Sequence, residues 1–433
     1  MRDMTSQADP VVPSPAGLVL APLRALRFDT AVAGPLASLL TPPYDVIDAD
    51  GVTRYEAVSP YNVVRLILPR GPESGAHSRY AAAAQLLGEW RAAGVLRPDA
   101  EAALYVYELR DGEHMQRGLL GAVALCDPDA GIVLPHENTM AGPVSDRLAL
   151  TEATQANTEP IFLVYDGGGA ASAAVADPGG TPIAESTTDD GVEHRLWAIT
   201  AASVLADIAA DLLPRRAVIA DGHHRYANFR QHQADRHAAG DGPGPWDFGL
   251  AFLVDATAFG PQVHPIHRVI PGLAPQDAAD RAADAWTVQP VDGGAEGARA
   301  GLAAAGKAGP AFAIGGPDGW WVLTEPAPLL LEGALPRHHS AAWRALDVTV
   351  AHLGLIHGTW GLTDDETTVW YRHDATAAEQ AAGESGGTAL LLNPTPAEAV
   401  IAVAAAGERM PRKSTFFTPK PATGMVLRTF ADA

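Results

Sequence analysis

Short apolar runs alternate along the chain with stretches in which apolar residues recur every three or four positions. The runs have the length of buried strands and the stretches the period of helices, so the pattern predicts a mixed α/β fold. Leu18 to Arg27 reads as a first strand and its exit, and Asn62 to Leu68 as a buried strand that carries Arg65. His77 to Val95 reads as a helix with Tyr80, Leu87 and Trp90 on one side. Ala103–Leu109 and Arg117–Leu125 flank Asp111-Gly112, a hairpin signal. A short strand ending in polar groups follows at Ile132–Thr139. Ser145–Asn157 reads as a helix with Arg147, Thr151, Thr154 and Asn157 on a polar face. Pro160–Asp166 and His194–Ile199 read as strands; residues 167–180, rich in Gly and Ala, read as a loop, and 201–213 as a helix.

The pattern then changes period abruptly. Ala217–Ala220 is a buried strand, Asp221-Gly222 breaks it, and from His223 the spacing of Tyr226 and Phe229 is helical. Beyond it lie the strand Phe248–Asp255, the stretch Val263–Ile270 with two more histidines and an arginine, and alternating Ala-rich helices and strands over 271–345. A helix at Val348–His357, strands at Val369–Tyr371 and Ala389–Leu392, and a helix at Pro396–Gly407 lead to Met410-Pro-Arg-Lys-Ser-Thr-Phe-Phe-Thr-Pro-Lys420. This predicts a disordered tail at 1–17, an N-terminal α/β region at 18–130, a core at 131–270, an α/β subdomain at 271–345, and a C-terminal region at 346–433 that completes the site.

With 433 residues the chain exceeds one ordinary core. Its formal net charge of −21 argues against general binding of nucleic acid or anionic membrane. No apolar run reaches membrane-spanning length. The one cysteine, Cys126, sits in an apolar run and is expected to fill core, which fits a reducing cytoplasm. No signal peptide is expected at the start of the chain.

The candidate chemistry concentrates where the strand at 217–220 becomes a helix. A helix N-terminus offers backbone N–H groups and the positive end of the helix dipole, a combination that suits phosphate. Gly222 lets the backbone approach an anion, and Arg225 is expected to add a fork for phosphate oxygens. Asp221 is expected to cap the helix or to hold a metal riding on the phosphates. The same residues also fit a capped helix with two surface histidines. Two further loops are candidates: Thr41-Pro-Pro-Tyr-Asp, which presents Tyr44 and Asp45, and the C-terminal Lys413, Ser414, Thr415 and Lys420. Glu137, after Pro135-His136 and beside Asn138 and Thr139, can supply the carboxylate that phosphoryl transfer to a hydroxyl needs. It also fits a structural pair with Arg225 or Arg268.

Thr41-Pro-Pro-Tyr-Asp-Val-Ile47, Pro135-His-Glu-Asn-Thr139, Ala220-Asp-Gly-His-His-Arg-Tyr226, Pro265-Ile-His-Arg268 and the Met410–Lys420 segment together resemble the domain-of-unknown-function family numbered 1015. The order Pro135-His-Glu137, Pro160-Ile-Phe-Leu-Val164, Asp221-Gly-His-His-Arg225 is similar to the core of free serine kinases of the ParB and sulfiredoxin-like nucleotide-binding group. That resemblance implies a ParB/sulfiredoxin-like core embedded in a larger mixed-sheet protein. It further implies that Glu137 is the base, with His223 and Arg225 also in catalytic roles. Asp221, Gly222, His223, His224, Arg225, Lys413, Ser414 and Thr415 would hold ATP or ADP, with Mg2+ at Asp221. His136, Asn138, Thr139, His267, Arg268, Tyr44 and Asp45 would line the site of a small-molecule acceptor, free serine or a related amino acid. The chain departs from that group by more than a hundred residues before the core, a long spacer between motifs, and an added C-terminal region.

Two other function classes fit the same motifs. One is a non-catalytic nucleotide sensor. The other is a metal-dependent hydrolase using His223, His224, His264 and His267. Against the hydrolase, adjacent histidines on a helix point about 100° apart, which rarely suits one ion. The chain has neither a Gly-x4-Gly-Lys-Ser/Thr loop nor a protein-kinase signature set.

Overall fold

In a computed structural model, residues 12–75, 78–365 and 367–433 are described. Most of the expected tail, and the first residue of the helix expected at His77, lie outside them. The chain divides into two units. One comprises Met1–Pro261 and Pro419–Ala433; the other is Gln262–Thr418. Among the described residues no helix is long and apolar enough to cross a membrane.

The first unit is built on a nine-stranded mixed sheet. Its strands in chain order are β1 (Leu20–Ala21), β2 (Leu104–Asp111), β3 (His114–Ala124), β4 (Val133–Pro135), β5 (Ile161–Tyr165), β6 (Ala184–Thr187), β7 (Glu193–Ile199), β8 (Ala217–Asp221) and β9 (Phe248–Asp255). Across the sheet the order is β4-β8-β5-β9-β3-β2-β7-β6, with β1 paired to β3. The hairpin expected around Asp111-Gly112 is present, with Asp111 opposite His114. β8 runs parallel to β4 and antiparallel to β5, which sets residues 217–221 beside both 133–135 and 161–165.

Helices α1 (Ala141–Thr154) and α2 (His223–Ala238) pack against each other beside this sheet. α2 buries Tyr226 and Phe229 in the same apolar cluster as Leu119, Val123, Ile161, Leu163, Ile219 and Leu253. Cys126 belongs to that cluster, as its apolar context predicted; its backbone carbonyl accepts the Tyr226 hydroxyl proton. The polar stripe of α1 faces inward instead of to water. Arg147, Thr151 and Thr154 are all buried, and Thr151 donates to Asn228 on α2.

Two local expectations are corrected, and one stretch left without an element resolves into two strands. Asn62–Leu68 is not a strand: Val64–Ile67 forms one helical turn, started by the Asn62 side chain accepting the Val64 N–H. A short apolar run cannot by itself tell a buried strand from a buried helix. The turn puts Arg65 on its outer side, where it donates to the Glu56 carbonyl. Within 167–180, Gly169–Ala176 forms a helix because Ala171 and Val175 bury one side in the core. Val263–Ile270 is broken at Pro265 into two strands that join different sheets.

The second unit carries a six-stranded sheet. Its strands are β10 (His267–Ile270), β11 (Thr287–Pro290), β12 (Phe312–Gly316), β13 (Gly319–Thr324), β14 (Trp370–Arg372) and β15 (Thr388–Leu392), ordered β11-β13-β12-β15-β10-β14. Three of its strands come from outside 271–345, so the unit is larger than the expected subdomain. Gln262–His264 pairs antiparallel with Phe416–Thr418 at the ends of the unit.

Candidate functional site

α2 begins at Gly222, whose φ of 92° lies in the left-handed region that glycine adopts without strain. The N-cap residue is thus a glycine, which brings no capping side chain of its own. The expected cap, Asp221, points elsewhere: its Oδ1 accepts Lys420 Nζ at 2.5 Å and its Oδ2 accepts Arg225. The N-terminal end of this sixteen-residue helix carries the first-turn backbone N–H groups and the positive end of the helix dipole.

The loop between β4 and α1 lies at this helix start. His136 N–H donates to His223 Nε2 at 3.3 Å, and Met140 N–H donates to His224 Nε2 at 3.0 Å. Each imidazole must be unprotonated at Nε2 to accept. The two adjacent histidines thus hold opposite ends of one short loop, a use for their divergent directions that needs no shared ion. Glu137 lies between the straps and is partly buried; Asn138 and Thr139 are exposed. His136 is buried, with Nδ1 at 2.6 Å from the Ile219 carbonyl of β8 and its ring edge-on to His223. His136 therefore anchors the loop to the sheet.

Below the strap, three segments far apart in sequence meet in a charged network. Lys420, last residue of the C-terminal motif, bridges Asp221 and Asp45, the latter at 3.4 Å. Thr41 and Thr423 exchange backbone hydrogen bonds, which zips the Thr-Pro-Pro-Tyr-Asp turn to the returning tail. Tyr44 N–H donates to Glu159 Oε1 at 2.9 Å, and the Tyr44 ring lies 4.3 Å under the Arg147 guanidinium. Glu159 also accepts the Thr423 hydroxyl and sits 3.7 Å from Arg147.

Burial and charge oppose each other here. Burial pushes the Glu159 carboxyl up and wins over the nearby Arg225 and Arg147. Burial also works against the Asp221 carboxylate, but Lys420 and Arg225 outweigh it and hold the group below the ordinary range. Burial disfavours the Lys420 ammonium, and Asp221 and Asp45 more than offset this, so its pKa is raised. Burial pushes the Tyr44 hydroxyl up to about 12.

Two expected roles change. Arg225 is not a fork facing an open phosphate site. It is 2% exposed, ion-paired to Asp221, and donates to the Pro160 carbonyl at the entry to β5. Nor does Asp221 fit as a magnesium ligand. Mg2+ needs oxygen ligands in near-octahedral array, and both Asp221 oxygens are engaged by cationic side chains. Among the described residues no group of three or more His, Cys, Asp or Glu is placed to hold a metal. Of the histidines in the hydrolase reading, His223 and His224 hold the Glu137 loop of the first unit, and His264 and His267 belong to the second unit.

The remaining expected residues lie in that second unit. Arg268 is buried there and donates to the Ile266 carbonyl, to His352 Nε2 and to the Lys413 carbonyl. His267 Nδ1 accepts the Leu392 N–H, and the Ser414 hydroxyl donates to the Pro411 carbonyl. Lys413 is exposed and stands at a φ of 55°, unusual for a side-chain-bearing residue. Glu159 and Thr423 escaped the sequence reading. A carboxylate directly before Pro160 and an apolar run was a usable signal for Glu159; Thr423, flanked by Ala and Gly, gave none.

A family model described as a protein of unknown function, DUF1015, matches residues 20–349. No curated protein matches. Similar solved structures include a free serine kinase variant in complex with ADP (13% identity, TM-score 0.34, 70% of this chain and 87% of that one). They also include C-terminally truncated SbnI from Staphylococcus aureus (11%, 0.35, 71% and 86%). A conserved hypothetical protein from Pyrococcus furiosus is similar too (14%, 0.33, 71% and 93%).

Proposed function

The chain belongs to the DUF1015 family of proteins of unknown function, and we propose that it is a phosphotransferase that moves a phosphoryl group from ATP or ADP to the hydroxyl of a small molecule. Free serine or a related amino acid is the acceptor class we favour. One observation carries the reading. Two adjacent histidines hold the loop bearing Glu137 against the glycine-led start of a sixteen-residue helix. That arrangement joins the two things the chemistry needs, a carboxylate for the acceptor proton and a dipole end for phosphoryl charge.

A bound nucleotide would supply the phosphoryl group. Glu137 accepts the proton of the attacking hydroxyl at its carboxylate. The first-turn amides of α2 orient the phosphates, with Gly222 letting them approach. Asn138 and Thr139, exposed beside Glu137, offer polar contacts to the acceptor. His223 and His224 position the loop, and Arg225 acts through Asp221, so all three are positioning residues. No metal step is assigned.

The test is nucleotide turnover by the full chain with a panel of hydroxyl-bearing amino acids and sugars, followed as release of ADP or AMP. Glu137→Gln is expected to lower turnover by about 10²–10⁴-fold, the usual worth of a general base, with unchanged melting and nucleotide affinity. Nucleotide binding without turnover on any acceptor would overturn the phosphotransferase and leave a sensor. A Gln variant that melts early, with activity per folded molecule intact, would make Glu137 structural.

A further inference from the structure

We propose that Lys420 is the resident cation of this site: its ammonium takes the place between Asp45 and Asp221 that a divalent metal would fill. The geometry is specific. Nζ lies 2.5 Å from Asp221 Oδ1 and 3.4 Å from Asp45 Oδ2, so one compact charge bridges a carboxylate near the start of the chain and one at its middle. An ammonium presents three donors around a point charge, the closest side-chain equivalent of a small cation. The side chain is 13% exposed, and its segment is held on both sides. Gln116 donates to the Pro419 carbonyl, Ala422 N–H donates to Tyr107, and Thr423 is zipped to Thr41.

The arrangement gives the site a cation that cannot dissociate. Asp221 keeps Arg225 as a second partner, whereas Asp45 is 39% exposed and further from Nζ. Asp45 is therefore the carboxylate that gives way when an anionic group arrives, and Lys420 turns toward that group while still bonded to Asp221. This last step rests on the phosphotransferase reading; the exclusion of a metal rests on the carboxylate geometry alone.

The full-length protein is titrated with Mn2+ at neutral pH, with the free ion followed by electron paramagnetic resonance. Wild type, Asp45→Asn and Asp221→Asn should bind the same amount, because none of it sits between these carboxylates. A wild-type site that disappears in either variant overturns the proposal. Lys420→Met keeps most of the side-chain length and removes the charge. It should melt at least about 5 °C lower, since two carboxylates then face each other without a bridging cation, and millimolar Mn2+ should restore most of the loss. A Lys420→Met protein that melts like wild type, or one that melts early without responding to Mn2+, also overturns it. Failure of the phosphotransferase reading appears elsewhere, as absent nucleotide turnover, and leaves these titrations unaffected.

Discussion

Removing Arg225 tests whether the most chemistry-like residue of the Asp-Gly-His-His-Arg motif is structural. Arg225→Ala deletes an ion pair with Asp221, the donor to the Pro160 carbonyl, and an attraction to Glu159. Breaking a buried pair from one side costs about 3–5 kcal/mol, because the partner charge stays buried. Here the partners are not left bare: Asp221 retains Lys420, and Glu159 retains Arg147 at 3.7 Å. The lower end of the range, about 3 kcal/mol, is therefore expected. For a unit of this size that lowers the melting temperature by roughly 5–10 °C. The loss should be local. Hydrogen exchange read by mass spectrometry should speed up in Ala217–Asp221 and in the first turns of α2, and less in the strands on the far side of the sheet. Arg225→Lys keeps the charge but cannot reach both Asp221 and Pro160, so it should fall between. Unchanged melting and exchange in Arg225→Ala, with nucleotide affinity alone reduced, would refute the reasoning and return Arg225 to direct anion binding.

Two further perturbations bear on the same unit. Gly222→Ala puts a side chain at a φ of 92° and sets its Cβ 3.0 Å from Arg225 Nε, so it should destabilise by about 1–2 kcal/mol in urea unfolding; an Ala variant as stable as wild type would mean the turn can relax. His194, buried between the Tyr107 hydroxyl at 2.8 Å and the Thr188 hydroxyl at 3.0 Å, has its pKa pushed down to about 4 by burial. The unfolded chain then binds the proton more tightly, so the contribution is intact above the ordinary histidine pKa of about 6.5 and is lost as the pH falls toward 4. Urea unfolding at pH 7 and 4.5 should show up to about 3 kcal/mol less acid loss in His194→Gln than in wild type; equal losses would exclude His194 as the source.

The tail from Pro419 to Ala433 has a larger part than its length suggests. Besides supplying Lys420, it places Arg428 in a buried position where it donates to Asn157, Phe248 and Pro245. Arg428 thereby ties the tail to both β9 and the approach to β5. The chain leaves the first unit after β9, builds the second unit, and returns to lock the first.

What the sequence determined by itself is local and periodic. The change of period at Asp221-Gly222, the Asp111-Gly112 hairpin, the apolar runs of β5, β8 and β9 and the buried side of the Tyr80–Trp90 helix are written in spacing and turn chemistry. They need no partner to be recognised, and the structure contains each of them. The same reading singled out Tyr44, Asp45, Glu137, Asp221 and Lys420 as candidates, because charged or polar residues beside glycine and proline at strand ends stand out against an apolar background.

What the sequence left open is which charges meet. Asp45 and Lys420 are separated by almost the whole chain, yet they share one contact; only the return of the tail across the sheet puts them together. Arg225 looks like a ligand-binding fork in sequence and is a buried strut in the structure. Its guanidinium can turn either way from the first turn of α2, and the choice is made by Asp221 and Pro160 on neighbouring strands. The run Asn62–Leu68 likewise became helical because Asn62 starts a turn, which a list of apolar residues does not disclose. Periodicity records how a segment divides between water and core. Ion pairing at a buried site depends on distances between segments, and those are fixed only when the sheet order, the returning tail and the packing of α1 on α2 are all in place.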